Sequence, residues 1–305
     1  MPHEHHDHHD HRRAPADFGR AFLIGIALNA AFVVAEVFFG LRANSLSLLA
    51  DAGHNAGDVF GLMLSFAAVL LGRKRPSARF TYGYGGSSIL AATVNAVILL
   101  LAVGAIGWES LLRLAHPEQT GGATMMAVAA AGVAVNGASA FLFMAGQKHD
   151  LNVRSAYLHM AADAAISFGV VVAGGIVLYT HWLSIDPLAS LIISVLIIVS
   201  TFRLLKESLS LSLQGVPQSI DAQKVRDFLV AQPGVREVHD LHIWALNTAS
   251  SACSVHLVMA SGHPGDAFMK HIAHELEDDF NIGHTTIQIE LGDGEACPLA
   301  PDHVV

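Results

Sequence analysis

Charge is what this 305-residue chain has least of: only 14% of its residues are Asp, Glu, Lys or Arg, where an ordinary soluble domain carries roughly 25%. With 52% apolar residues and a mean hydropathy of +0.47, that deficit excludes a typical soluble enzyme and points to a membrane protein. Bases are outnumbered, 17 Lys and Arg against 26 acids, and no basic stripe is in sight, which excludes a nucleic-acid binder. Cysteine is almost missing. Cys253 and Cys297 cannot make a disulfide scaffold, and reduced thiols fit a cytoplasm-facing location. Catalytic signatures are missing too. No Gly-x-Ser-x-Gly elbow occurs, and the nearest approach to a His-Glu-x-x-His string, His274-Glu275-Leu276-Glu277-Asp278, lacks its second histidine, so the chain does not read as an enzyme. Histidine is what the chain has in excess: 19 residues of the commonest metal ligand.

A membrane helix needs about 20 largely apolar residues. Six runs qualify: residues 18–41, 45–72, 87–114, 123–146, 155–179 and 187–205. The first is too long for a signal-peptide core and no small-residue cleavage site follows it. Asp186-Pro187 reads as an N-cap followed by Pro at the first helical position of the sixth run. With the N-terminus in the cytoplasm, the inner segments carry Arg12, Arg13, Arg20, Arg73, Lys74, Arg75, Arg79, Lys148, Arg154, Arg203 and Lys206, and the outer ones only Arg42 and Arg113. That asymmetry puts both ends of the chain in the cytoplasm. Residues 1–17 form a disordered His-rich leader, 18–207 the six-helix membrane domain and 208–305 a cytoplasmic domain. The leader interleaves six histidines with Glu4, Asp7 and Asp10; it either captures metal weakly or is dispensable.

Past Gly215-Val216-Pro217 the pattern changes to helix 222–231, strands 236–246 and 252–260, helix 266–280 and strand 285–291, an α-β-β-α-β order that suggests a small two-layer α+β domain. This tail holds four bases (Lys224, Arg226, Arg236, Lys270) against thirteen acids, so it carries the whole formal charge of −9. The acidity is either an ordinary solvated surface or a field that gathers cations near the membrane mouth.

The second run contains His54-Asn55-Ala56-Gly57-Asp58 and the fifth His159-Met160-Ala161-Ala162-Asp163. Residues i and i+4 stack on one helical face. Each helix therefore offers one imidazole and one carboxylate, and two such faces opposed supply the N2O2 set that a tetrahedral Zn²⁺ accepts. A carboxylate inside the bilayer costs a few kcal/mol, and a divalent cation alternating with protons explains why two are kept. Small-residue ridges, Gly53, Gly57 and Gly61 on the second run and Ala161, Ala165, Gly169 and Ala173 on the fifth, would let these helices approach. Asp51 shares the His54 face and reads as lining rather than as a ligand. Glu36, Asn29, Asn95, Glu109 and Asn136 read as interhelical hydrogen-bonding or water-contacting groups.

The chain resembles the cation diffusion facilitator family, its zinc-exporting branch in particular. The resemblance rests on Ser45-Leu46-Ser47-Leu48-Leu49-Ala50-Asp51-Ala52-Gly53-His54, on Arg79-Phe80-Thr81-Tyr82-Gly83-Tyr84, on the stretch from Asp150 to His159, on Asp186-Pro187-Leu188-Ala189-Ser190, and in the tail on His239-Asp240-Leu241-His242-Ile243-Trp244 and Thr286-Ile287-Gln288-Ile289-Glu290. It implies a homodimeric, proton-coupled antiporter in the cell inner membrane, with six transmembrane helices and a ferredoxin-like cytoplasmic domain. It implies a transport site at His54, Asp58, His159 and Asp163, with Zn²⁺ as cargo, H⁺ as counter-ion and no cofactor. The presence of both histidines resembles the zinc branch rather than the manganese one, and imidazole suits Zn²⁺. The resemblance also implies a zinc-sensing site in the tail at His239, His256, His284 and Glu290, with Cys297 where some relatives carry a metal-binding Cys, and with His242, His271 and His274 in reserve. Departures are present: the 72–88 segment has no His or acid, so no metal site is expected there, and Gly85-Gly86-Ser87-Ser88 stands where relatives often carry a charge. Rival readings are a membrane metal sensor without transport and a transporter mainly of Cd²⁺, Co²⁺ or Ni²⁺.

Overall fold

A computed structural model describes residues 18–144, 151–292, 294 and 297–301. The His-rich leader and His149 of the 145–150 segment lie outside the described residues. Six long helices, α1 (Phe18–Ala43), α2 (Leu46–Gly72), α3 (Ser87–Ala115), α4 (Gly122–Met144), α5 (Leu151–Thr180) and α6 (Ile185–Ser212), precede a tail made of α7 (Ala222–Val230), β1 (Glu237–Ala245), β2 (Ser251–Val258), α8 (Asp266–Phe280) and β3 (Ile282–Glu290). Among the described residues, five segments are long and apolar enough to cross a membrane, Leu46–Gly72, Ser87–Ala115, Gly122–Phe141, Tyr157–Thr180 and Ile185–Ser212. The remaining long helix, α1, has 26 residues. Val34, Leu101, Phe141 and Val199 stand exposed on these helices, a surface that fits hydrocarbon and not water.

The chain divides into two compact units. The first holds α1, α2 as far as Val59, and the stretch from Arg113 to Ser190 with α4 and α5. Its opening turn is built by Asn44, left-handed at φ 51°, a conformation that Asn tolerates because its short polar side chain bonds locally. Here the Asn44 side chain donates to Glu118 Oε2 at 2.8 Å, and its carbonyl accepts from Arg113 at 3.0 Å. The first turn of α2 is then capped from a distance. Asp186 is fully buried and accepts from Ser45 Oγ (2.7 Å), Leu46 N (2.7 Å), Ser47 N (3.1 Å) and Ser47 Oγ (2.6 Å). The sequence suggests that Asp186 caps its own helix. The structure instead starts α6 at Ile185 and spends the carboxylate on the orphan N–H groups of α2, where an anion is stabilised by the helix dipole. Pro187 still falls in the first turn of α6, where a missing N–H costs nothing.

Helices α4 and α5 pack backbone to backbone. A Cβ at Gly122 would lie 2.8 Å from the Gly174 carbonyl oxygen, and one at Gly174 would lie 2.9 Å from Met126 N. The small-residue ridge expected on α5 is therefore displaced. Ala165 and Gly169 are exposed, a Cβ at Gly169 would meet nothing within 4 Å, and the tight face runs through Asp163, Ser167, Val170 and Gly174.

The second unit holds α2 from Phe60, α3 to Leu112, α6 from Leu191, and the tail. The tail sheet has the order β1-β2-β3; β1 pairs antiparallel with β2, and β2 parallel with β3, so α8 serves as the crossover that a parallel pair requires. Val225 and Leu229 of α7, Ile272 and Leu276 of α8, and Val238, Ile243, Cys253, Val255, Leu257 and Ile282 of the sheet form one buried core. Asp221 caps α7, accepting from the N–H groups of Gln223 and Lys224. The segment after α2 touches this domain. Thr248 N donates to Ser88 Oγ at 3.1 Å, and a Cβ at Gly85 would lie 3.0 Å from the Leu246 carbonyl oxygen. That contact makes Gly85 a close approach between the 85–88 segment and the loop after β1.

Candidate metal centres

Both His-x-x-x-Asp pairs belong to the first unit. One turn of α2 separates His54 from Asp58, one turn of α5 separates His159 from Asp163, and the two faces meet crosswise. His54 Nε2 lies 3.1 Å from Asp163 Oδ1, and His159 Nε2 lies 3.2 Å from Asp58 Oδ2. Within each helix the pairs are 3.9 Å (His54–Asp58) and 3.6 Å (His159–Asp163) apart. Four ligand atoms, one from each residue, lie within 4.8 Å of one another. A tetrahedron with metal–ligand bonds near 2.0–2.1 Å has edges of about 3.3 Å; the two crosswise pairs, at 3.1 and 3.2 Å, match that length, and the two within-helix pairs, at 3.6 and 3.9 Å, are somewhat longer. Exposure is graded across the cluster: 3% for the Asp163 side chain, 15% for His54, 34% for Asp58 and 44% for His159. The cluster is closed on the Asp163 side and more open on the His159 side.

Next to this cluster Ser167 Oγ donates to Asp51 Oδ2 at 2.9 Å and Asn55 Nδ2 donates to Glu36 Oε2 at 3.0 Å. Neither Asp51 nor Glu36 supplies an atom to the four-ligand set.

The tail builds a second cluster from its sheet. The register sets His239 of β1 opposite His256 of β2, and Val258 of β2 beside Glu290 of β3. Glu290 bridges the imidazoles, with Oε2 3.2 Å from His239 Nε2 and Oε1 3.0 Å from His256 Nδ1, and Cys297 Sγ lies 3.7 Å from His256 Nδ1. The four also lie within 4.8 Å of one another. This donor set is N2OS and mostly enclosed; the His239 side chain is 5% and that of His256 11% exposed. Neither ring nitrogen of His239 has a hydrogen bond of acceptable alignment. Burial opposes ionisation of Glu290, but hydrogen bonds from Cys297 and Gln288 and the nearby imidazoles outweigh it and hold the carboxyl below its ordinary range. A bulge in β1 puts Asp240 in the left-handed region at φ 50°, from which it reaches His242 Nε2 (2.8 Å) and the outer nitrogen of His256 (3.3 Å). A carboxylate on the far nitrogen of a ligating histidine fixes its tautomer and its orientation.

Of the residues expected in the tail, His239, His256 and Glu290 come together and His284 does not. It pairs with Ala252 at the other end of β3, and its ring meets Tyr82 edge to face at 5.4 Å. Cys297 completes the cluster in its place. His271 and His274 lie on α8, exposed and next to Glu275 and Asp278.

Residues 22–211 match the cation efflux transmembrane domain family, and residues 217–291 match the cation efflux protein cytoplasmic domain. The chain belongs to the cation efflux family. It is a multi-pass membrane transporter of metal cations, from a transport family rather than an enzyme family. It is 37% identical over 273 residues to the zinc transporter ZitB of Shigella flexneri, covering 89% of this chain and 87% of that one. It is 35% identical over 287 residues to the metal cation efflux system protein CzcD of Cupriavidus metallidurans, covering 94% and 91%. A cadmium, cobalt and zinc/H⁺–K⁺ antiporter of Bacillus velezensis is 33% identical over 276 residues, covering 89% and 88%. The solved metal-bound C-terminal domain of the CzcD transporter is 37% identical, with a TM-score of 0.22, covering 24% of this chain and 100% of that one. In this cation efflux protein the α2–α5 cluster lies inside the transmembrane match, and three of the four tail groups lie inside the cytoplasmic match.

Proposed function

We propose that the protein is a Zn²⁺/H⁺ antiporter that exports zinc from the cytoplasm, with the metal bound by His54, Asp58, His159 and Asp163. The observation that carries this reading is the crosswise meeting of the two His-x-x-x-Asp pairs at near-tetrahedral spacing. Cytoplasmic zinc enters the open side and displaces protons, because imidazole and carboxylate must be deprotonated to bind it. The helices then present the site to the other side, where protons compete the metal off. The name of the Bacillus relative, a metal/H⁺–K⁺ antiporter, supports the exchange, and the name of the ZitB relative supports zinc. Cd²⁺, Co²⁺ and Ni²⁺ are competing cargoes of similar ligand preference.

In this reading the protein sits in the inner membrane as a homodimer with both ends in the cytoplasm, and 208–305 is a zinc-sensing domain whose ligands are His239, His256, Glu290 and Cys297. The ring nitrogens of His239, which make no hydrogen bond although Glu290 lies 3.2 Å away, support a metal there. Zinc in this site tightens the dimer and biases the cycle. The test is zinc flux in proteoliposomes under an imposed pH difference with competing divalent ions. Zinc accumulation driven by inward-acting protons is expected. Asp58→Ala and His159→Ala are expected to abolish it, while removal of residues 1–13 changes it little. No flux under a pH gradient, with zinc still altering the tail, would leave a sensor in place of a transporter.

A further inference from the structure

Two carboxyl groups sit beside the four-ligand cluster without belonging to it. Glu36 on α1 and Asp51 on α2 are both fully buried. One oxygen of each is satisfied, Glu36 Oε2 by Asn55 and Asp51 Oδ2 by Ser167. The other oxygen of each, Glu36 Oε1 and Asp51 Oδ1, has no donor. Asn55 stands one turn after Asp51 on α2, so the Glu36 carboxyl that Asn55 holds lies on the helical face that carries Asp51. Two carboxylates set side by side without water are both acceptors, and their like charges repel most strongly where the dielectric is lowest. One proton resolves both problems: it turns an acceptor–acceptor contact into a charge-assisted O–H···O⁻ bond and halves the buried charge.

We propose that Glu36 and Asp51 form a proton-binding site, separate from the metal ligands, that carries one proton between them and exchanges it once per transport cycle. This inference rests on the antiport reading above and adds to it a dedicated carrier for the counter-ion. In the binding step an O–H bond forms at one of the two oxygens that lack a donor, Glu36 Oε1 or Asp51 Oδ1, with a proton taken from the outer solution, and the pair goes from two negative charges to one. In the release step that bond breaks and the proton leaves to the inner solution. The ionisable groups of the four-ligand cluster whose charges act on Asp51 are His54 on α2 and Asp163 on α5. Helix α4, which packs on α1, has no ionisable residue anywhere in its sequence. Coupling follows from Coulomb's law. An empty pair puts an additional negative charge one turn from His54 and favours a divalent cation in the cluster, and a protonated pair removes that attraction. By reciprocity, a bound cation lowers the affinity of the pair for its proton to the same degree. Exchange of one proton for part of the cation charge is thereby built into the position of the pair, along α2 toward its first turn.

Infrared spectroscopy and vesicle flux on the full-length protein test this. Wild type is expected to show a protonated-carboxyl stretch that shifts in heavy water, is lost on zinc addition, and is missing from both Glu36→Gln and Asp51→Asn. Proton release to a weakly buffered dye on zinc binding is expected to drop by about one per chain in Glu36→Gln. In vesicles, pH-driven zinc accumulation by Glu36→Gln is expected to fall at least about tenfold more than zinc–zinc isotope exchange at equal pH on the two sides, a factor equal to about 1.4 kcal/mol of lost coupling. Absence of the wild-type band overturns the proposal, since that measurement needs no variant. Equal loss of accumulation and exchange in a monodisperse Glu36→Gln protein also overturns it, by showing a packing role. Asp163→Ala in the same vesicles separates the two readings: retained isotope exchange would sink the four-ligand site, while the infrared count on the Glu36–Asp51 pair would stand on its own.

Discussion

The two metal clusters use nearly the same residues in opposite ways. In the membrane cluster the ligands come from two helices, one His and one Asp from each, and the open flank exposes His159 by 44%. In the tail the ligands hang on three strands and the segment after them, and neither histidine is exposed by more than 11%. The membrane set is N2O2 and the tail set N2OS. A thiolate adds a soft ligand, which strengthens zinc binding relative to harder cations. The tail also spends Asp240 on the outer nitrogen of His256, and among the described residues His54 Nδ1 has no hydrogen-bond partner. A cargo site must release its ion, and a sensing site must hold it long enough to matter. Under the proposed function, enclosure and the exchange of one carboxylate for a thiol would separate the two roles.

The strongest way to break the comparison is to remove one ligand from the cargo site and watch the other site. Asp163 is the least exposed of its four ligands and touches both histidines. Asp163→Ala is expected to lower vesicle zinc flux by more than about a hundredfold, beyond the range lost when only an outer partner of a metal ligand is removed. Zinc titration of the same variant is expected to retain the tail stoichiometry. Loss of both binding events together would show that the clusters are not independent.

Much of the membrane half was legible because its chemistry is local. Apolar runs located all six long helices to within a few residues at most ends. The exception is α6, which continues to Ser212, because counting apolar residues finds the bilayer-sized stretch and not the polar turns, Lys206-Glu207-Ser208, that prolong the same helix. The i, i+4 spacing of His54 with Asp58 and of His159 with Asp163 fixed two faces, and only their meeting required the fold. Contacts of long range were not legible. Asp186 reaches back 140 residues to Leu46, and Glu36 of α1 finds Asn55 of α2. His284 was misplaced for a reason available in advance. It stands six residues from Glu290 on one strand, about 20 Å at 3.3 Å per residue, too far for both to hold one ion. Cys297 is announced only by the family resemblance and by no local spacing, since it lies past the last strand, and the structure brings it into the cluster in place of His284.

That difference supplies a second, smaller test. Cys297→Ser is expected to weaken zinc binding by the tail about 10–100-fold, since a hydroxyl does not ionise to replace the thiolate. His284→Ala is expected to leave tail binding unchanged, because its ring contacts Tyr82 and no member of the cluster. Calorimetry on the full chain with Asp163→Ala as background reads only the tail event. Weakening by His284→Ala equal to that of Cys297→Ser would restore the histidine as a ligand and remove the distinction in donor sets drawn above.

The smallest expected effect separates the two cysteines. Cys297 is half-buried and faces the cluster, whereas Cys253 is buried in the sheet core. Burial pushes the Cys253 thiol up to about 11 from its ordinary 9.0, with only partial relief from the Thr285 hydroxyl. A thiol that stays neutral in the fold and ionises more easily in the unfolded chain stabilises the fold fully below pH 9. That contribution is lost as pH rises through about 11, and is at most about 2–3 kcal/mol. Hydrogen exchange of β2 is therefore expected to accelerate between those two pH values, and less so in Cys253→Ala, apart from its uniform cavity cost. At neutral pH an alkylating reagent is expected to modify Cys297 and to be blocked there by zinc, while Cys253 reacts only on unfolding. Modification of Cys253 in the folded, zinc-loaded protein would show that the sheet opens readily, and a sheet that opens readily could not give the tail the rigid, retentive cluster that sets it apart from the one in the membrane.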